Sequence, residues 1–108
     1  MSGLTGIPYT VRCVNDVFGI DPEDDNIDVT VAFETGEHFT ATFFTIRNLE
    51  SLMEKYGETG ECAGGLYVWS KHMIVVTRLT IQNIEHAVAD LLESGEFASA
   101  FDGPFRSS

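Results

Sequence analysis

Strict period-two alternation over Ile27-Asp28-Val29-Thr30-Val31-Ala32-Phe33 constrains this chain more than any other feature. Apolar side chains at every second position put one face of a strand against a core and leave the other face polar. A second run in the same phase, His38 to Phe44, carries Phe39, Ala41 and Phe43, and Glu34-Thr35-Gly36-Glu37 lies between them. Opposed residues of an antiparallel pair share a face, so parity decides the loop length. A two-residue loop at Thr35-Gly36 would set Phe33 opposite His38 and oppose apolar to polar side chains throughout. A three-residue loop, Glu34-Thr35-Gly36, sets Val31 opposite Phe39, Val29 opposite Ala41 and Ile27 opposite Phe43. It also puts Gly36 where a type I turn with a bulge needs positive φ. The three-residue loop is the expectation.

Two amphipathic helices follow by the same argument at the helical period. Thr45 caps a stripe of Ile46, Leu49, Leu52, Met53 and Tyr56, closed by Gly57 and Gly60; Thr80 caps Ile81, Ile84, Val88, Leu91 and Leu92. Before the first strand pair, Ile7 to Val14 reads as an added strand, with Cys13 in phase as a small buried hydrophobe. Leu66–Ser70 and Met73–Thr77 read as a second hairpin about Ser70-Lys71. The unbroken apolar run Met73-Ile74-Val75-Val76 suggests a central strand covered on both sides. Phe97 and Phe101 read as a final turn folded back on the core.

Thr45–Glu61 set over Thr80–Glu96, an offset of 35, matches at seven of seventeen positions. Average composition would give roughly one match. Helix-capping preferences account for about four of them, and both duplication and convergence remain open. The expected architecture is α+β, in the order β-ββα-ββα. It is a mostly antiparallel five-stranded sheet with two helices on one face. The chain of 108 residues forms one domain over 1–105, with 106–108 as a frayed tail.

Charge bears on function. Seventeen acidic residues against six basic give −11, which disfavours nucleic acid and anionic membranes, since both need a basic patch. Eight of the acids fall between Asp16 and Glu37 with no base among them. The segment of Asp21, Glu23, Asp24, Asp25 and Asp28 lacks the glycine and final acid of an EF-hand loop, and Pro22 stiffens it, so no calcium site is expected. His38, His72 and His86 have no metal-ligand spacing and read as surface histidines, and no cofactor motif is present. With two distant cysteines and no signal peptide in MSGLTGIPYT, a cytoplasmic, reducing setting is expected, in a bacterial cell.

The open sheet face would carry His38, Thr40, Thr42 and Phe44, joined by Tyr67 and Trp69: large aromatics on a polar surface, the composition of interface anchors. The expectation is therefore a non-enzymatic interaction protein that meets a basic protein partner through this aromatic face or through the acidic 16–37 loop with Asp21, Glu23, Asp24, Asp25 and Asp28, in the manner of an immunity protein that inhibits a toxin. Such a face also invites a homodimer. One alternative is a small-molecule-binding or catalytic domain with a pocket between sheet and helices near Tyr9, Tyr56, Tyr67 and Trp69. Another is a self-assembling structural subunit.

Overall fold

The computed structural model describes residues 6–13 and 21–106. In chain order the elements are β1 (Tyr9–Cys13), β2 (Asn26–Phe33), β3 (Glu37–Thr45), α1 (Ile46–Thr59), α2 (Glu61–Gly65), β4 (Met73–Val76), α3 (Ile81–Ser94), α4 (Phe97–Ala100) and β5 (Asp102–Arg106). The fold is α+β: an open five-stranded sheet with two long helices and two short ones.

The β2–β3 hairpin has the register that parity demands, with Val31 opposite Phe39, Val29 opposite Ala41 and Ile27 opposite Phe43. Gly36 sits at φ +94°, and its N–H donates to the Phe33 carbonyl at 2.9 Å. Both long helices are capped as expected. The Thr45 hydroxyl accepts from Asn48 N–H and the Thr80 hydroxyl from Asn83 N–H, each at 3.1 Å, while Gly60 and Gly95 close the helices in the left-handed conformation. The paired asparagines of the internal echo also do related work. Asn83 Nδ2 donates to the Arg78 carbonyl at 3.1 Å, and Asn48 Nδ2 donates to Asp24 at 3.3 Å. Each ties the start of a helix to a loop that precedes it.

The echo does not extend to the strands. Residues 66–70 form no strand, so the second hairpin and the β-ββα-ββα order are not what the chain adopts. Alternation over five residues builds a strand only where one face has a core to enter, and Leu66, expected to point inward, is 78% exposed. β4 instead runs parallel to β3, with Ile74 opposite Phe43 and Val76 opposite Thr45. The fifth strand is β5, antiparallel to β3 along its first half, Glu37 facing Arg106 and His38 facing Phe105. β4 and β5 thus share one side of β3, while β2 and then β1 continue the sheet on the other. Two corrections follow. Arg106 belongs to a strand and not to a frayed tail, and β4 is an edge strand, not a central one, with Val75 45% exposed.

The core lies between the inward residues of β2 and β3 and the elements α3 and α4. Ile27, Val29, Val31, Phe33, Phe39 and Phe43 meet Ile84, Val88, Leu92, Phe97 and Phe101, with Leu79 enclosed among them. Phe97 and Phe101 stack at 4.4 Å and 17°, and Phe33 and Phe39 present edges to Phe97. The first long helix behaves differently. Its apolar stripe was expected in the core, yet Asn48 is its only buried residue, and none of its side chains joins the core cluster. Ile46 is 56% exposed and Met53 37%. The Cα radius of gyration, 15.0 Å, exceeds the roughly 13 Å usual for a compact chain near 100 residues, in line with a helix that stands away from the core.

Cys13 packs against the core from β1, as its phase suggested, and burial pushes its thiol up from the ordinary value. A thiol so raised stays protonated further into the alkaline range and is the weaker nucleophile at neutral pH. Iodoacetamide should therefore alkylate Cys13 slowly near neutrality. The rate should still be climbing at pH values where a free cysteine has levelled off; a plateau at or below the free-cysteine pH would contradict this environment.

Candidate functional site

Asp28, Thr30, Ala32, His38, Thr40, Thr42 and Phe44 alternate with the core residues, and so belong to the sheet face opposite the core. Near the middle of this face lies a depression of about 310 Å³, lined by Asp28, Thr30, Thr40, Thr42, Lys71, His72 and Asp102. Thr42 Oγ1 donates to Asp28 Oδ1 at 2.7 Å across the hairpin. His72 is held from several directions. Its φ is +51°, its carbonyl accepts from Thr42 N–H at 3.2 Å, and its Nδ1 lies 3.3 Å from the Ala100 carbonyl. Its Nε2 stands 3.6 Å from Asp102 Oδ1. A non-glycine residue at positive φ costs free energy, and surrounding contacts must hold it there.

Lys71, His72 and Asp102 were not singled out as site residues by the sequence. His72 and Asp102 are thirty positions apart and meet because β4 and β5 both pair with β3. No local spacing announces such a pair. The depression pairs two carboxylates with one ammonium and several hydroxyls, so it suits a polar or cationic group more than an apolar one. Among the described residues, no group of three His, Cys, Asp or Glu side chains is placed to hold a metal ion.

The proposed interface residues separate. Thr40 and Thr42 line the depression. His38 is half-buried, its ring 5.5 Å from that of Phe105 on β5. Phe44 is only 6% exposed, which corrects the expectation that it stands open on this face. Tyr67 and Trp69 are exposed, at 47% and 66%, but on an irregular segment leading into Lys71 and His72, not on a strand. With Leu66 they form the most exposed group of large apolar side chains in the described chain. Of the tyrosines expected around a sheet–helix pocket, Tyr9 lies on β1 beside the Phe33 ring, 5.8 Å away, and Tyr56 lies on α1.

The acidic loop is built into the fold. Asp24 accepts from Ser51 Oγ at 2.9 Å as well as from Asn48, and Asp21 Oδ1 accepts from Glu23 N–H at 3.0 Å. Asp25 Oδ1 accepts from Asn26 N–H at 2.8 Å, and the Pro22 carbonyl accepts from Leu79 N–H at 2.7 Å. Asp21, Asp24 and Asp25 therefore fasten the loop to itself and to α1, while the Glu23 carboxylate meets an exposed Arg47 at 3.9 Å. Asp16, the first acid of the run, lies outside the described residues. No described helix is long and apolar enough to cross a membrane. Comparison with protein-family models, with curated proteins and with solved structures finds no match.

Proposed function

We propose that this chain is a non-enzymatic interaction protein that docks a basic protein partner through Leu66, Tyr67 and Trp69, on the segment that leads into the depression holding Asp28 and Asp102. The observation that carries the reading is the exposure of those three side chains together on one short segment. Large apolar residues grouped on a surface mark contact sites, and Trp and Tyr are the usual anchors of such contacts. The net charge of −11 adds long-range attraction to a cationic partner and speeds encounter. An inhibitor of a basic enzyme, of the immunity type, is the role that combines these properties. A reducing compartment agrees with the two free cysteines, Cys13 and Cys62.

The test starts from the partner retained by immobilised protein at low salt, which is then purified and titrated directly. A basic protein should bind, its affinity should fall as ionic strength rises towards 0.15 M, and the Leu66→Ser/Trp69→Ser double variant should lose at least tenfold. A partner whose binding ignores both salt and the double variant would refute the reading.

A further inference from the structure

Each terminal strand of a sheet offers unpaired N–H and C=O groups to another chain, and natural edges are commonly guarded by charge, proline or a bulge. Among the described residues, three strands have a free side. β1 carries Arg12, and β5 carries Pro104 and Arg106. β4 carries Met73, Ile74, Val75 and Val76, with neither charge nor proline. In a parallel ladder each residue turns both backbone groups to the same side, and successive residues alternate. Because the His72 carbonyl accepts from Thr42 N–H, Ile74 and Val76 bond to β3. Met73 and Val75 turn their backbone groups outward, where no described strand pairs with them. Alongside this edge runs an open groove of about 470 Å³, walled by Val75, Val76 and Thr77 on one side and by Asn83, His86 and Asp90 of α3 on the other.

We propose that the free edge of β4 and this groove take an extended segment of the basic partner by strand addition. Backbone hydrogen bonds would form at Met73 and Val75, with a lysine or arginine of the segment reaching Asp90. Such additions gain affinity from main-chain bonds and specificity from side chains entering a flanking groove. Charge selects a basic segment over a second copy of this chain: two copies would each bring −11, whereas the groove wall presents the Asp90 carboxylate, which has no side-chain partner among the described residues. The proposal rests on the reading of the chain as a binding protein for a basic partner, and it adds a contact separate from Leu66–Trp69.

The probe is a fluorescein-labelled octapeptide of alternating Lys and Val, compared with a Glu–Val octapeptide and with a Lys–Val octapeptide N-methylated at alternate residues. Anisotropy gives affinity, and amide shifts in nitrogen-15 spectra give location. The Lys–Val peptide should bind, with shifts confined to 73–77 and 83–90; the Glu–Val and N-methylated peptides should bind at least tenfold more weakly. Val75→Pro removes an outward N–H and spares the bonds to β3, and should also cost at least tenfold. Asp90→Lys, on an exposed helix position, should shift preference towards the Glu–Val peptide and covers the case in which Val75→Pro does not fold. Shifts elsewhere, or equal binding by the N-methylated peptide, would overturn the proposal. So would no binding at millimolar peptide, or a sedimenting dimer abolished by Val75→Pro, which would make a second copy the occupant. If the peptides fail while the purified partner still binds through Trp69 with salt dependence, the edge contact falls and the functional reading stands; if both fail, both fall.

Discussion

Phe97→Ala is expected to lower the stability of the fold by about 3–5 kcal/mol, the range for deleting a fully buried phenylalanine. Phe97 has no exposed surface, stacks on Phe101 and receives the edges of Phe33 and Phe39, so its loss empties the point where both strands of the central hairpin meet α4. The neighbours that would have to collapse into the space are held by the β2–β3 ladder and by the short helix itself. Domains of this size have about 5–15 kcal/mol in total, so the variant should unfold at much lower urea, with the slope of the transition unchanged. A shift of less than about 1 kcal/mol would mean that the aromatic cluster is not the centre of the core.

Gly65→Ala should cost at least about 2 kcal/mol, combining a left-handed residue that gains a Cβ with overpacking. Gly65 has φ +86°, and a Cβ there would collide with the Met53 carbonyl oxygen and crowd the Gly57 nitrogen, both backbone atoms of α1. Neither can swing aside as a side chain would. Gly64, at φ +72° with nothing near its missing Cβ, is the internal control. Gly64→Ala carries only the conformational cost, about 1 kcal/mol. Equal destabilisation of the two variants in urea would show that α2 does not press against α1. The contact has a functional side, since α2 launches the segment that bears Tyr67 and Trp69.

Features with short-range physical causes were legible in the sequence. The hairpin register follows from the phase of Ile27–Phe33 against Phe39–Phe43 and from Gly36, and the helix ends follow from Thr45, Thr80, Gly60 and Gly95. Features that depend on which edge of β3 is free were not. Asp102-Gly103-Pro104-Phe105-Arg106 holds a glycine and a proline that argue against a strand, and such a sequence is tolerated only at an edge, where β5 lies. Met73–Val76 is apolar throughout, which fits a central strand as well as an unguarded edge. The stripe on α1 fits a core helix equally well, but the helix turns Asn48 inward to join Asp24 and Asn26 instead. The depression holding His72 and Asp102 inherits this difficulty, because both β4 and β5 must be placed before the two residues meet.

The proposed docking role depends above all on the Leu66–Trp69 segment lying in water and free to meet another molecule. Acrylamide quenching of the single tryptophan, repeated over a wide range of protein concentration, reads this directly. The emission should be that of hydrated indole, with a quenching constant close to that of a small tryptophan derivative and no change on dilution. A blue, poorly quenched emission at every concentration would place Trp69 inside the protomer and contradict the account.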